Sequence, residues 1–427
     1  MSAFLDEERR TVPVVGFRLS VYRSHAMQFS DFSNAAFFNN PYPLYDEMRA
    51  AGPLVKLSAG LYVTGRYSVV HDLLFDRRFG KGIEASVKAR YGNAAVDEPI
   101  FRMARHMLAG LNPPTHTRLR ALVMKSFTAR QLERFRLASH EISHRLADAL
   151  IASDQPDIIR DFAFPLPAQI ICTIMNVPLE DAPMLKRLSD DASSVLDVNV
   201  MNAEQLRKAN ESVLELQRYF TALFEARRRN PGDDLISQMV AAEEEGEVMT
   251  NEELVANVLL LFVAGHETTT NIIGNSLVSL HRHPEQLILA RSNPAILPNV
   301  IMECMRHETS VQSTMRVALE DAEVAGVQVA RGDVVFVWLG AAHRDPEKFA
   351  EPDRLKIDRS FKDVKILSFG GGLHFCLGAR LATMEIEAAL GTLFSRLPDM
   401  RITNLDDLRW HKRSQLRGVE SLQIARS

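Results

Sequence analysis

The sequence predicts one helix that is long enough to cross a whole domain. Thr250 and Glu253 form a T-x-x-E capping box at its start, and Pro284 ends it. The segment between them, residues 251–282, would be about 48 Å long at ~1.5 Å per residue. Its middle, VLLLFVAG, is apolar on nearly all sides, which indicates burial. A buried helix of this length must pass through the core of the protein.

Helical patterns dominate the rest of the chain, for example over residues 131–153 and 203–229. Strand-like runs are few and short: residues 61–65, residues 323–329 followed by 333–338, and the extreme C-terminus. We expect the runs 323–329 and 333–338 to pair as a hairpin. The predicted fold class is therefore mostly α with a small β-rich lobe, and an alternating βαβ protein is excluded.

No Pro-, Gly- or Ser-rich linker divides the chain, and no repeat of about 20–50 residues is present. We therefore expect a single domain over residues 1–427. Residues 1–25 are expected to form a loosely ordered N-terminal segment.

Composition limits the partners and the compartment. A net charge of −4 gives no global reason to bind nucleic acid or an anionic membrane. Three cysteines (Cys172, Cys304 and Cys376) are too few for a disulfide framework, which indicates a reducing compartment. The longest apolar run, residues 258–264, is far shorter than the ~20 residues that a membrane span needs. We expect a cytoplasmic protein with neither a membrane nor a nucleic acid as partner.

The segment FGGGLHFCLGARLA, residues 369–382, carries the strongest chemical signal. A cysteine alone is most often a small buried apolar residue, but here three glycines at 370–372 allow close approach of the backbone. Cys376 also precedes a predicted helix, whose N-terminal end favours the thiolate. No second Cys or His stands at zinc spacing, which leaves a haem iron held by Cys376 as the candidate metal centre.

This segment resembles the haem-binding signature of the cytochrome P450 superfamily, F-G-x-G-x-H-x-C-x-G. The six specified positions are matched by Phe369, Gly370, Gly372, His374, Cys376 and Gly378. The resemblance extends over nearly the whole chain. It implies the single-domain, mostly α haem-thiolate fold, with haem b between the 251–282 helix and the helix that follows Cys376.

Three further motifs extend the resemblance, and the first is E-x-x-R, Glu303 and Arg306. Residues three apart share a helix face, and a pair of this kind is ordinarily a solvated surface ion pair. The resemblance instead implies a buried, structural cluster with Arg354, in the segment Pro-Asp-Arg, that holds the cysteine loop in place.

The second motif is A-G-x-E-T in the long helix. Without context, its threonine would satisfy the backbone and its glutamate would be exposed. The resemblance implies that Ala264 borders the haem, that Gly265 leaves room for a ligand, and that Thr268 and Glu267 deliver protons. Thr269 points about 100° away on the helix. The sequence HETTT lacks the second histidine of H-E-x-x-H, which excludes a zinc protease.

The third motif is PPTHTRLRALVMKSF, where His116 and Arg120 lie four residues apart. Basic residues here would otherwise belong to the solvated face of a helix. The resemblance implies that His116, Arg120, Arg316 and His374 bind the two haem propionates. Carboxylates require cationic or N–H donors of this kind.

The activity implied by the resemblance is monooxygenation, in which one atom of O2 enters the substrate and the other becomes water. No flavin or iron–sulfur domain is recognisable, so we expect a ferredoxin and a ferredoxin reductase as electron donors. Basic residues near the cysteine would suit a small acidic ferredoxin. They are Arg118, Arg120, Lys125, Arg130 and Lys365.

The resemblance also implies the residues of the substrate pocket: Leu260, Val263, Gln312, Ser313, Thr314, Gln415 and Leu416. Apolar Leu260 and Val263 suit a carbon skeleton. The polar run from Gln312 to Thr314 favours a substrate with oxygens, such as a polyketide, macrolide or terpenoid of secondary metabolism.

Several alternatives remain open at this level. A fatty acid or a carrier-bound intermediate is the second substrate class. A haem-thiolate enzyme that rearranges or couples its substrate without external electrons is a second type of enzyme, although Glu267 and Thr268 argue against it. The other alternative for the function is a non-enzymatic haem sensor. Sensors usually carry an output domain, however, and none is recognisable.

Overall fold

A computed structural model describes residues 27–196, 200–244 and 246–425. The N-terminal segment predicted over residues 1–25 lies outside the described residues. Helices dominate, as the sequence predicts. Within the described ranges the α-helices are Ala35–Asn39 (α1), Tyr42–Ala51 (α2), Tyr67–Phe75 (α3), Ile83–Tyr91 (α4), Pro99–Ala104 (α5), Thr115–Lys125 (α6), Ala129–Ala152 (α7), Pro165–Met175 (α8), Ala182–Ser193 (α9), Ala203–Arg229 (α10), Leu235–Ala241 (α11), Asn251–His281 (α12), Pro284–Ser292 (α13), Leu297–His307 (α14), Leu339–Ala342 (α15) and Ala379–Arg396 (α16).

The long predicted helix is α12, which begins and ends within one residue of the predicted bounds. The Thr250 hydroxyl accepts from the backbone N–H of Glu253, and the Glu253 carboxylate accepts from the backbone N–H of Thr250 at 2.9 Å. This capping box satisfies two of the free N–H groups at the helix start. Most of the helix is buried, and it packs against α8, α14 and α16. The helix thus forms the centre of the core.

The strands form a small lobe beside the helices. They are Val55–Ser58 (β1), Leu61–Thr64 (β2), Phe79–Gly80 (β3), Glu243–Glu244 (β4), Glu247–Val248 (β5), Ser313–Ala318 (β6), Ala322–Val324 (β7), Val327–Val329 (β8), Val334–Trp338 (β9), Arg401–Ile402 (β10) and Ile424–Ala425 (β11). The largest sheet has the order β1-β2-β9-β6-β3, in which only the β2–β9 pair is parallel.

The predicted hairpin between residues 323–329 and 333–338 is wrong. The first run folds on itself, because Ala325 and Gly326 adopt positive φ angles of 51° and 82° and reverse the chain between β7 and β8. Such a two-residue turn matches the twist of an antiparallel pair. Strand β9 is therefore free to insert between β2 and β6.

None of the helices in the described ranges is long and apolar enough to span a membrane.

Candidate active site

A deep cavity lies between α12 and the loop that precedes α16. Ala264, Gly265 and Thr268 of α12 line it, and Phe369 and Cys376 line it from the loop. Ala264 is exposed although it lies in the middle of the central helix. The cavity therefore occupies the position that the sequence predicts for the haem.

The loop before α16 holds Cys376 by its backbone. The N–H of Cys376 donates to the carbonyl of Phe369 at 2.9 Å. Gly370 and Gly372 adopt positive φ angles of 69° and 63°, which other residues rarely adopt. A Cβ atom on Gly372 would collide with the carbonyl oxygen of Leu74. These two positions require glycine for the loop to present the thiol.

Cys376 does not open the helix as predicted, because it lies two residues before the N-cap residue Gly378. Helix α16 begins at Ala379, so the thiol precedes its first turn. Cys376 is exposed to the cavity, where desolvation by the surrounding protein raises the pKa of its thiol, while a hydrogen bond from the Gly378 backbone and the charge of Arg120 oppose this shift. The protein by itself favours the protonated thiol. A thiophilic metal cation would displace that proton, because metal ligation requires the thiolate.

The four predicted propionate ligands all line the same cavity. The rings of His116 and His374 lie 4.5 Å apart between centroids. Both ring nitrogens of His116 and Nε2 of His374 are buried without a hydrogen-bond partner among the described residues. Burial and then the nearby charge of Lys81 lower the pKa of His374 to about 2, so its ring is uncharged at neutral pH and carries one N–H. Unpaired N–H donors beside arginines fit the carboxylates of a haem.

The E-x-x-R pair is buried, with both side chains fully inaccessible. Arg306 donates to both carboxylate oxygens of Glu303 at 2.8 Å. It also donates to the carbonyls of His343 and Pro352 at 2.9 and 2.7 Å. The Nε2 atom of His343 accepts from the backbone N–H of Leu367 at 2.7 Å. The pair thus braces the chain that leads into the cysteine loop.

The third member of this cluster is Arg359, and the prediction of Arg354 is wrong. Nε of Arg359 lies 3.1 Å from Glu303, and its side chain is 10% exposed. The Arg354 side chain is 70% exposed and pairs with Glu351 at 2.5 Å. Arg354 contributes only its backbone carbonyl, to Arg306 at 3.0 Å. The reason is that the backbone at Arg354 faces the cluster, which directs its side chain to solvent.

We expect Glu303→Ala to yield little folded holoprotein. The substitution leaves Arg306 buried without its carboxylate, at a cost of roughly 3–5 kcal/mol. Arg359→Met should lower the haem content and the thermal midpoint, whereas Arg354→Met should behave like the unmodified protein, as exposed pairs contribute little. Haem content and thermal unfolding of the three variants check this. Equal damage from Arg354→Met and Arg359→Met would contradict the assignment of Arg359.

Thr268 and Glu267, the predicted proton-delivery pair, have different surroundings. The Thr268 hydroxyl donates to the carbonyl of Ala264 at 2.8 Å and lines the cavity. The helix runs through this point without a break in its α-helical assignment. Glu267 faces away from the cavity wall and pairs with Arg413 at 2.6 Å. Arg413 also donates to the hydroxyl of Ser193 at 3.1 Å.

A further carboxyl group, Glu385 of α16, lines the cavity and was missed from the sequence. Burial raises its pKa to about 8, and a hydrogen bond with the Thr269 side chain opposes this shift. Its Oε2 atom has no partner among the described residues. Thr269 also lines the cavity, so it is not directed away from the site as its position on the helix suggested. A glutamate within a helical pattern gives no sequence signal for this burial.

Glu385 should make stability depend on pH. An acid whose pKa is raised on folding binds more protons when folded, so stability falls as pH rises from the unfolded pKa of 4.5 through about 8. The slope is roughly 1.4 kcal/mol per pH unit for one group. We expect Glu385→Gln to lose less thermal stability between pH 6 and pH 9 than the unmodified protein. Identical pH profiles for the two proteins would contradict the burial of a neutral carboxyl.

The substrate end of the cavity differs from the prediction. Leu260 and Thr314 line it, whereas Val263, Gln312, Ser313, Gln415 and Leu416 lie outside its wall. The Gln312 side chain points toward α2, where it accepts a hydrogen bond from the Tyr45 hydroxyl at 2.7 Å. The backbone of Gln415 bonds that of Gln312, and Leu416 bridges Val311. Gln312 and Ser313 therefore add no polar surface to the cavity. Thr309, Ser310 and Thr314 are the polar residues that this stretch contributes, and Leu108, Ile171 and Ile174 contribute apolar surface.

Comparison with known proteins agrees with this geometry. The family model described as "Cytochrome P450" matches residues 83–287 and 289–398. The chain belongs to the cytochrome P450 family. It is therefore a P450 monooxygenase, an enzyme of a family that uses haem iron and O2 and generally takes electrons from redox partners.

Relatives of known name match over nearly their full length. The chain is 48% identical over 398 residues to cytochrome P450 133B1 of Xylella fastidiosa, covering 93% of this chain and 98% of that one. It is 36% identical to the biotin biosynthesis cytochrome P450 of Bacillus subtilis, with coverage of 92% and 98%. The solved structure of P450BioI, in complex with acyl carrier protein bearing hexadec-9Z-enoic acid, has a TM-score of 0.85 at 34% identity, with coverage of 93% and 100%.

Proposed function

We propose that this P450 binds haem b through Cys376 and inserts one atom of O2 into a substrate with a long apolar carbon chain. The observation that supports this most is the arrangement of the cavity. Cys376 and Thr268 line the same cavity from two different elements, and the unpaired ring nitrogens of His116 and His374 belong to residues that also line it. Bound there and supplied with two electrons and two protons, haem iron would activate O2 so that one atom enters the substrate and the other leaves as water.

The residues of the chain have three tasks in this reaction. Cys376 would hold the iron as a thiolate, since metal ligation requires the deprotonated thiol. His116, Arg120 and Arg316 orient the cofactor through its carboxylates. The aliphatic wall around Leu260 and Ile171 would exclude water from the cavity and contact the carbon chain of the substrate.

Thr268 Oγ1 is the atom that we propose to hold the proton. The Thr268 O–H donates to the carbonyl of Ala264, so the lone pairs of Oγ1 remain available to accept a hydrogen bond from a group bound in the cavity. Glu267 would exchange protons with solvent, and for that it must separate from Arg413. We propose that the ion pair holds the carboxylate away from the cavity until a proton is needed.

For the substrate, we favour a fatty-acyl chain, free or bound to a carrier protein. Of the three polar residues that favoured an oxygenated polyketide, macrolide or terpenoid, Gln312 and Ser313 do not line the cavity and Thr314 does, and much of the remaining wall is aliphatic. The structural relative with bound acyl carrier protein supports the same class for this chain.

We propose a ferredoxin and its reductase as the electron donors, but with a revised contact surface. Arg118 pairs with Glu247 at 3.1 Å and also with Glu253, and Arg120 lines the cavity. Neither is therefore free to bind an acidic partner. Exposed Phe75, with Lys365 at 5.7 Å from its ring, gives an apolar and basic surface next to the cysteine loop.

A binding screen tests the substrate class. The purified holoprotein is titrated with myristic acid, a fatty-acyl carrier protein, a macrolide and a terpenoid, and the shift of the Soret band is recorded. We expect a shift with the acyl compounds at the lowest concentration. A shift with the macrolide or the terpenoid alone would contradict the acyl class. Turnover without a reductant or O2 would contradict monooxygenation and favour a rearrangement.

A further inference from the structure

Lys81 lies in the wall of the cavity and belongs to none of the recognised motifs. Its ammonium group donates to the Thr314 hydroxyl and to the carbonyl of Met315, both at 3.1 Å. An ammonium group has three N–H donors, so one remains without a partner among the described residues. Lys81 lines the same cavity as His116, Arg120, Arg316 and His374.

The backbone fixes Lys81 in this position. Its N–H donates to the Asn112 side chain and its carbonyl accepts from the same side chain, both at 2.8 Å. A Cβ on either flanking glycine would collide with a neighbour, Gly80 with Asn112 and Gly82 with Val317. The segment is therefore pressed against β6, the strand that carries Arg316. These backbone contacts therefore place Lys81 at the cavity wall.

The cluster has more positive charge than the described protein balances. Burial lowers the pKa of Lys81 well below its ordinary value, and the charge of Arg316 lowers it further. Burial also lowers the pKa of Arg316 to about 10. Among the described residues, no carboxylate affects the pKa of either group. Buried cations of this kind are costly unless an anion accompanies them.

We propose that Lys81 binds a haem propionate and is the fifth donor of the cofactor site, in addition to two arginines and two histidines. This inference rests on the proposed haem site. With Arg120 and Arg316, Lys81 gives three cations for two carboxylates, which leaves one excess positive charge beside the cofactor. That charge disfavours the ferric state relative to the ferrous state and so raises the reduction potential of the iron.

The test compares the holoproteins of the unmodified chain, Lys81→Met, Lys81→Arg and Lys88→Met. Lys88 of α4 is a matched control, because it pairs with Glu84 on the surface at 2.6 Å. The measurements are the rate of haem transfer to excess apomyoglobin, the midpoint potential, and the resonance Raman bands of the propionates. We expect Lys81→Met to lose haem about tenfold faster, since it lacks one charge-assisted hydrogen bond. Its potential should be more negative and its propionate bands shifted.

Lys81→Arg should keep most of both properties, and Lys88→Met should match the unmodified protein. If Lys81→Met retains haem and potential unchanged, the inference is overturned. If Lys81→Met yields no haem protein, the result for Lys81→Arg decides. Haem binding by Lys81→Arg supports the inference, whereas failure of both variants would overturn it, because the position would then matter and the charge would not. An unmodified protein that binds no haem would instead refute the proposed function itself.

Discussion

Cys376→Ala abolishes the long-wavelength Soret band of the reduced CO complex. That band requires a thiolate opposite the CO, and Cys376 is the cysteine that lines the cavity. Among the described residues that line the cavity, Cys376 is the one that can supply a thiolate, so its loss should remove the band completely. The difference spectrum of the reduced protein with CO minus the reduced protein without CO measures the effect directly.

The chain provides two internal controls for this result. Cys172 and Cys304 are buried in the core, and burial raises the pKa of both thiols, to about 11 and about 12. Buried thiols of this kind are inert. Cys172→Ala and Cys304→Ala should therefore keep the band. Retention of the band in Cys376→Ala, with its loss in either control, would show that the ligand has been misassigned.

Thr268→Ala should separate electron consumption from product formation. The variant lacks the hydroxyl that we propose to hold the proton in the cavity, but substrate and O2 can still bind. Reductant is then oxidised at a near-normal rate, while hydrogen peroxide replaces the product. Proton-transfer groups of this type contribute roughly 10²–10⁴-fold in rate. Product and peroxide per reductant consumed are the quantities to measure.

Thr269→Ala is the matched control, with a revised expectation. Thr269 also borders the cavity, but its side chain is bonded to Glu385 on the α16 side. We expect its loss to change the titration of Glu385 and to leave coupling much less affected. Normal coupling in Thr268→Ala, or a larger defect in Thr269→Ala, would remove Thr268 from the relay.

The fold class and the central helix were predictable because their signals are local. The Thr250 capping box and Pro284 mark the ends of α12, and a continuous apolar middle indicates burial whatever the helix packs against. The hairpin failed for an equally local reason, since the turn residues Ala325 and Gly326 lie inside a run that looked like one strand.

The site residues were predictable only where a motif fixes both the backbone and the direction of the side chain. Gln312 stands at the expected place in the chain, but its side chain turns toward Tyr45 and leaves the cavity. The arginine that pairs with Glu303 is Arg359 and not Arg354. The sequence did not distinguish them, because an irregular segment has no periodicity that indicates which side chain turns inward. Lys81 was not recognisable, because its burial depends on Asn112 and on β6, both distant in sequence.

The most direct test of the central claim uses ¹⁸O2. The holoprotein, its electron donors and a substrate that shifts the Soret band are incubated under labelled oxygen, and the product is weighed by mass spectrometry. Our account predicts one ¹⁸O atom per product molecule, the second atom in water, and no product when the reductant is omitted. Unlabelled product, or product formed without reductant, would contradict it.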